Sequence, residues 1–201
     1  MLGLCAQSRM GKDTVAESII DMIPVYKRCA FGDELKKLIS TYFDIPLSEI
    51  EEYKSRKDLH PSIKVTMRKT LQLIGETMRN VSPDVWVMNA LKNVNTDLCI
   101  FTDVRYENEM QSILKKEGKL ILIGRSKYLS TDPHPSESGL QDAIQWFLQN
   151  THEPFIIVKN KTNIPEEFKK FTYFLRNDGT KDDLTKVIAQ LCVELKKKQL
   201  N

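Results

Sequence analysis

The sequence lacks three features that mark common classes of protein. No apolar run approaches the roughly 20 residues that cross a bilayer, so we expect no membrane partner. The net charge is only +3, from 30 Lys and Arg against 27 Asp and Glu, which argues against nucleic-acid binding through a basic surface. The N-terminal segment also lacks the basic and apolar layout of a secretion signal.

Cysteine is scarce, and its spacing excludes the usual cysteine sites. Cys5, Cys29, Cys99 and Cys192 lie far apart, with no Cys-x-x-Cys pair and no Cys/His spacing typical of a metal site. We interpret them as small buried hydrophobic side chains of a protein from a reducing compartment. The sequence therefore predicts a cytoplasmic protein.

The sequence does contain apolar segments that alternate with amphipathic helices. The segments seldom alternate polar and apolar residues, which favours strands covered on both faces in a mostly parallel sheet. We predict an α/β fold. Its expected strands are 1–6, 25–31, 97–103, 119–124 and 171–177, and segment 154–160 is left open between the sheet and an insertion. Its expected helices are 12–23, 34–43, 67–78, 107–118, 142–150 and 180–199, and Asp33 is the expected N-cap of the second. A further helix is expected to open with Ser82 as N-cap and Pro83 as its first residue. Segment 44–66 is predicted to be irregular.

The stretch RMGKDT (9–14) lies where the first strand turns into the first helix. In a phosphate-binding loop, backbone N–H groups and the helix N-terminus surround phosphate oxygens, and the Gly-Lys pair adds close approach and a cation. The usual pattern is Gly-x-x-x-x-Gly-Lys-Ser/Thr, and here Ala6 and Asp13 depart from it. Thr14 is then the hydroxyl that remains for phosphate or magnesium. The alternative is an ordinary strand-to-helix turn with an exposed lysine.

Two further segments carry charged residues at predicted strand ends. In FTDVRYENE, Asp103 ends a buried strand, where a magnesium-organising carboxylate belongs, and Arg105 follows in the same crevice. A simple N-cap is the alternative for Asp103. Arg125 opens a loop at 125–141 rich in Pro, Ser and Gly, which suits a lid over transferring phosphate. His134 and Glu137 lie in that loop without a metal or nucleophile partner at recognisable spacing.

A predicted helix supplies a third group of candidates. Arg68, Gln72 and Arg79 share one broad helical side, and guanidinium with carboxamide can hold a phosphate and a base edge. The alternative is the surface face of an amphipathic helix. Trp86 is more often a core residue than a platform for base stacking.

Taken in order, these motifs give a family resemblance that covers nearly the whole chain. The chain resembles the bacteriophage-type deoxynucleoside monophosphate kinases, a branch of the P-loop kinases related to adenylate kinase. The segments that carry the resemblance are GKDTVA, FGDELKK, LQLIGETMRN with PDVWV, FTDVRYENE, HPSES and RNDGTKDDL. In that family Asp is the normal residue at the position of Asp13.

The resemblance implies a fold and a set of roles. It implies one domain, 1–201, built as a three-layer sandwich with a mostly parallel five-stranded sheet, an acceptor-binding insertion at about 33–95 and a lid at about 125–141. The implied catalytic residues are Lys12, Asp103, Arg105 and Arg125. The implied ATP-binding residues are Ser8, Arg9, Met10, Gly11, Lys12, Asp13, Thr14, Asn177, Gly179 and Thr180. The implied acceptor-binding residues are Asp33, Lys36, Arg68, Gln72, Arg79, Trp86 and Glu137, and Thr14 and Asp103 would hold Mg²⁺, Asp103 through water.

The activity that the resemblance implies is transfer of the γ-phosphate of Mg-ATP to a deoxynucleoside monophosphate. The partners are then ATP and the monophosphate, in the cytoplasm, or in the host cytosol for a viral protein. Two alternatives stay open: another small-molecule P-loop kinase similar to dephospho-coenzyme A kinases, and a non-catalytic nucleotide-binding module. The accepted bases, the sugar preference and the oligomeric state, a homodimer included, are not decided by the sequence.

Overall fold

The computed structural model describes residues 1–92, 94 and 98–197. It divides the chain into two compact units, one of Met1–Ala30 with Thr96–Asn201 and one of Phe31–Asn95. The second unit has nearly the bounds of the predicted insertion at about 33–95. Binding of an acceptor by this unit stays a prediction.

The first unit contains a six-stranded sheet in the order β2-β3-β1-β4-β6-β5. The strands are β1 Leu2–Cys5, β2 Lys27–Cys29, β3 Cys99–Val104, β4 Lys119–Gly124, β5 Phe155–Ile157 and β6 Tyr173–Arg176. All neighbours pair in parallel except β5, which pairs antiparallel with β6. The predicted α/β fold with a mostly parallel sheet is confirmed. The predicted strand count of five is wrong, because β5 joins the edge as a sixth strand.

Helices cover this sheet on both faces. The helices of the unit are α1 Lys12–Met22, α6 Glu107–Leu114, α7 Pro135–Ser138, α8 Gln141–Asn150 and α9 Lys181–Lys197. The crossover through α1 leads from β1 toward β2, whereas that through α6 leads from β3 past β1 to β4. Right-handed crossovers in opposite directions place these helices on opposite faces. On the outer strands, the ring of Phe147 in α8 stacks on Phe174 in β6, with centroids 4.6 Å apart.

The described part of the second unit is a cluster of four helices. They are α2 Asp33–Phe43, α3 Leu47–Ser55, α4 Met67–Val81 and α5 Val85–Lys92. Their apolar faces meet in one core, which consists of Leu35, Ile39, Ile45, Ile50, Ile63, Met67 and Trp86. The prediction of an irregular 44–66 segment is wrong for α3, which buries Ile50.

Several predicted boundaries shift. Asp33 is the first residue of α2 and Gly32 is its cap. Ser82 ends α4 through its N–H to Met78 O, and α5 begins only at Val85. The predicted lid loop contains the short helix α7. The expected first residue of strand 97–103 and the last two of helix 180–199 lie outside the described residues. Among the described residues, no helix is both long and apolar enough to span a bilayer.

Candidate active site

The candidate site of the first unit lies at the carboxyl ends of four neighbouring parallel strands. Register aligns these ends: Cys5 pairs with Leu122, and Gly124 pairs with Arg176. In open α/β sheets the crevice outside these ends, where the strand order reverses, is the usual place for a ligand. The predicted donor loop follows β1, the lid follows β4 and the 177–180 segment follows β6. Asp103 lies near the end of β3, and Arg105 follows that strand. The fold therefore brings these four groups to one edge of the sheet.

The loop between β1 and α1 takes its unusual backbone angles at two positions. Arg9 has φ 64° and Gly11 has φ 87°, both in the left-handed region. Ala6 is not among the described non-glycine residues with positive φ. Alanine is therefore tolerated at position 6 without backbone strain.

Asn177 holds the same loop from the end of β6. It is almost fully buried, and its Nδ2 donates to Met10 O at 2.9 Å. A Cβ on Gly11 would overlap this Nδ2. Gly11 therefore meets two demands, a positive φ and a close approach of Asn177. The predicted role of Asn177 beside the donor adenine stays a prediction, and the structure adds a role in shaping the loop.

The two side chains that open α1 face different surroundings. Lys12 Nζ lies 2.6 Å from Asp13 Oδ2, and the Asp13 side chain is 63% exposed. The Lys12 side chain is only 16% exposed, so this ion pair is partly buried. Thr14 is exposed in the first turn of α1. Lys12 is therefore held beside Asp13, whereas Thr14 lies at the surface.

Arg105 is fixed at both its backbone and its side chain. Its N–H donates to Glu109 Oε2 at 2.8 Å, and Glu109 is buried in the first turn of α6. Its NH1 donates to Ser136 O at 2.9 Å and to Glu137 Oε1. Asp103 lies one residue before the end of β3 and is half-buried. The strand end thus presents a guanidinium that two acceptors anchor at NH1, on a backbone held by Glu109.

The lid begins at a second charged cluster. Asp178 accepts from Ser126 N at 2.6 Å and from Ser126 Oγ at 2.7 Å, and Arg176 NH1 donates to it at 3.2 Å. Arg125 lies over the Tyr128 ring, 4.6 Å from its centroid. The lid is therefore attached to the end of β6 at its first residues.

Gly179 and Thr180 lie at the start of α9. Thr180 donates to Asp183 Oδ2 through N at 3.0 Å and through Oγ1 at 2.7 Å. This reciprocal arrangement caps α9, since Asp183 N also donates to Thr180 Oγ1. The predicted ATP contacts of Gly179 and Thr180 stay predictions.

The sequence did not identify Gln7 or Glu109 as important, and it assigned Glu137 to the acceptor. Gln7 and Glu137 are each 1% exposed, and they join the donor loop to the lid over about 130 positions of sequence. No local sequence pattern predicts a contact between residues so far apart in the chain. For Glu109 a signal existed, because a carboxylate three residues after a strand-to-helix turn is typical of a helix cap.

The predicted acceptor residues of the second unit lie on α2, α4 and α5. Lys36 Nζ lies 2.5 Å from Glu51 Oε1 and 3.1 Å from Asp33 Oδ1. Partial burial opposes the charge of Lys36, but the hydrogen bond and charge of Glu51, with Asp33, raise its pKa. Lys36 is therefore a cation held between two carboxylates.

The α4 candidates keep their predicted spacing. Arg68, Gln72 and Arg79 are half-buried along α4. Trp86 is 4% exposed, belongs to the core of the unit, and donates Nε1–H to Gly75 O at 3.1 Å. The structure therefore places Trp86 as a core residue, the alternative that the sequence analysis gave. Direct contact with an acceptor stays a prediction for Trp86 and for the three α4 residues.

The metal and thiol chemistry of the chain is limited. Among the described residues no group of three or more His, Cys, Asp or Glu side chains could hold a metal ion. All four cysteines are free, and Cys5, Cys99 and Cys192 are buried. Burial raises the pKa of the Cys5 thiol, which stays neutral in the core.

Comparison with known proteins supports the resemblance seen in the motifs. A protein of Acanthamoeba polyphaga mimivirus, named "Putative deoxynucleotide monophosphate kinase", is 26% identical, and the match covers 81% of this chain and 89% of that protein. A dephospho-CoA kinase from Campylobacter jejuni superposes with a TM-score of 0.46 and 17% identity over 98% of both chains. No protein-family model matches the chain. The predicted resemblance is confirmed by the similarity to this viral protein.

Proposed function

We propose that this protein transfers the γ-phosphate of Mg-ATP to a deoxynucleoside monophosphate, giving the diphosphate and ADP. The observation that carries the proposal is the meeting of the Gly11-Lys12 loop, Arg105 and Arg125 at the carboxyl ends of adjacent strands. Phosphoryl transfer passes through a loose transition state, so positioned cations and backbone N–H groups supply most of the acceleration. These groups are the equipment that the reaction needs.

The donor phosphates bind in the loop between β1 and α1. Backbone N–H groups from Arg9 to Thr14 and the N-terminus of α1 would surround phosphate oxygens, and Lys12 exchanges Asp13 for the transferring group. Arg105 and Arg125 neutralise charge on the equatorial oxygens. No protein nucleophile is needed, because the acceptor phosphate attacks in line.

A magnesium ion fits the oxygen donors available. Thr14 offers a hydroxyl in the first turn of α1, and Asp103 offers a carboxylate on β3, which pairs directly with β1. Mg²⁺ keeps several waters and takes one or two protein oxygens with substrate phosphates, so it does not require a cluster of side chains. The ion neutralises phosphate charge when it is bound.

The acceptor is a deoxynucleoside monophosphate in this proposal because the mimivirus relative is named for that substrate class. The half-buried guanidinium groups of Arg68 and Arg79 suit bidentate contact with a phosphate, and the Gln72 carboxamide suits a base edge. All three lie on one helix.

A coupled assay of ADP release tests the activity. Deoxynucleoside monophosphates, ribonucleoside monophosphates and dephospho-coenzyme A are each supplied with Mg-ATP. We expect turnover with one or more deoxynucleoside monophosphates and none with dephospho-coenzyme A. Turnover of dephospho-coenzyme A alone supports the other small-molecule kinase, and ATP binding without any turnover supports the non-catalytic module. Either result contradicts the proposal.

Variants of the cationic groups test the site within this assay. Lys12→Ala and Arg105→Ala should each lower turnover by about 10³-fold or more, because a single arginine on the transferring phosphate is worth about 10³ to 10⁵. Lys169→Ala is the matched control, since Lys169 is an exposed lysine that pairs with the exposed carboxylate of Glu166. Near-normal rates in both site variants would remove the assignment.

A further inference from the structure

Two buried polar side chains of the first unit connect the lid to the donor loop. Gln7 follows β1 and Glu137 belongs to α7, and each is 1% exposed. Buried polar groups are costly unless every one of them is hydrogen-bonded. Their partners therefore show what the fold uses them for.

The carboxylate of Glu137 bridges two groups of the proposed donor site. Oε2 accepts from Ser8 N at 2.9 Å, and Oε1 accepts from Arg105 NH1. Ser136 O accepts from the same NH1 at 2.9 Å. Helix α7 thus contacts both a backbone N–H of the loop and the guanidinium.

Gln7 holds the same segment by its backbone. Its Nε2 donates to Glu137 O at 2.7 Å, and its Oε1 accepts from Ser130 N at 3.1 Å. The two ends of one amide therefore fix residues on both sides of 131–136. We refer to Gln7 and Glu137 together as the latch.

Direct contact of Glu137 with a substrate phosphate is excluded by chemistry and burial. An ionised carboxylate only accepts hydrogen bonds, so it repels phosphate oxygens. Its side chain also has no exposed surface. The side-chain contacts that link Glu137 to the donor site are those with Ser8 and Arg105.

The contacts of Arg105 leave two nitrogens of its guanidinium, Nε and NH2, available among the described residues. Both acceptors that the described residues give the guanidinium lie at NH1. Arginine has five N–H donors in a fixed planar fork, so Nε and NH2 remain to bind a phosphate in bidentate fashion. A guanidinium anchored at one nitrogen is oriented for the other two.

We propose that Glu137, held by Gln7 and anchored to the donor loop at Ser8 N, is a positioning residue that sets the Arg105 guanidinium for phosphoryl transfer. This inference rests on the proposed function and extends it to how the lid acts on chemistry. The lid orients groups of the donor site through the latch, in addition to covering them.

Glu137→Gln tests the proposal in a double-mutant cycle with Arg105→Ala. The amide has one acceptor oxygen for two donors, so one contact becomes donor against donor. We expect Glu137→Gln to lower kcat by about tenfold or more in the wild-type background and by less than about threefold in the Arg105→Ala background. KM for the acceptor should change less than kcat. Effects that simply multiply, or a wild-type kcat in Glu137→Gln, overturn the proposal.

A second variant and a control separate positioning from folding. Gln7→Ala keeps every charge and should lower kcat in the same non-additive way, which keeps the test valid if Glu137→Gln fails to fold. Glu166→Gln removes an exposed carboxylate paired with Lys169 and should leave kcat unchanged. Thermal unfolding of each variant shows whether it is still folded under the assay conditions. If kcat falls only in variants that have lost their fold, the result counts against a positioning role.

Binding measurements distinguish failure of this inference from failure of the proposed function. The same four-variant cycle is run on the dissociation constant of Mg-ATP by calorimetry. If the wild type binds Mg-ATP but turns over no monophosphate, the proposed reaction is wrong, and coupling in the binding cycle still supports the latch. Additive changes in binding, or no Mg-ATP binding at all, overturn it.

Discussion

Gly11→Ala tests how tightly the donor loop is defined. Gly11 has φ 87°, and an alanine there would also place its Cβ against Asn177 Nδ2. The left-handed conformation costs a non-glycine residue about 1–2 kcal/mol. Displacing Asn177 from Met10 O, where it donates at 2.9 Å, costs about 1 kcal/mol more. We expect the free energy of unfolding to fall by about 2–3 kcal/mol.

Urea denaturation of Gly11→Ala, Asn177→Ala and the double variant measures both parts. Asn177→Ala alone leaves the buried Met10 carbonyl without its donor and should cost about 1–3 kcal/mol. The double variant should be about 1 kcal/mol more stable than additivity predicts, because the same hydrogen bond is lost only once. A change below about 0.5 kcal/mol in Gly11→Ala, or strict additivity, would refute the reasoning.

Variants at two other positions, Trp86 and Asp178, test the remaining structure. Trp86→Phe should lose about 1 kcal/mol of unfolding free energy, because it removes the hydrogen bond to Gly75 O. Trp86→Ala should lose about 3–5 kcal/mol, because it leaves a cavity in the core. If urea denaturation gives the two variants similar unfolding free energies, the core placement of Trp86 is contradicted. Partial burial opposes ionisation of Asp178, but the hydrogen bonds from Ser126 and the charge of Arg176 lower its pKa. A lowered pKa gives stability that is present above about pH 4 and is lost as pH falls through the pKa of the folded state. The wild type should therefore be more stable than Asp178→Asn by up to about 1 kcal/mol near pH 7. This difference should narrow when unfolding is measured at acid pH. A constant difference from pH 7 to pH 3 contradicts it.

The central strands and their helices were predictable because their signals are local. Runs such as KLILIG are apolar throughout, and the helices repeat apolar residues on one face. The edge strand Phe155–Ile157 has only three residues and pairs antiparallel, so its place depends on β6 and not on its own pattern. Helix α3 buries only Ile50, and so polar a segment gives no helical periodicity to read.

In the candidate site, too, some residues were identified from local sequence patterns and others only from contacts between distant segments. A loop that needs a left-handed glycine followed by lysine shows this need in adjacent residues, so Gly11 and Lys12 were identified from the sequence. The contacts of Glu137 with Ser8 and Arg105 depend on how the lid packs after folding. Sequence located the loops that meet, and only the fold shows which of their atoms bond to one another.

The departures of this loop from the usual pattern have separate physical answers. Ala6 needs no glycine, because the positive φ angles fall on Arg9 and Gly11 instead. Asp13 replaces a hydroxyl, and its exposed carboxylate pairs with Lys12 Nζ at 2.6 Å. Ser8 N–H, in contrast, is occupied by the buried carboxylate of the lid. The loop is therefore defined less by its consensus letters than by the side chains that reach it from β6 and from the lid.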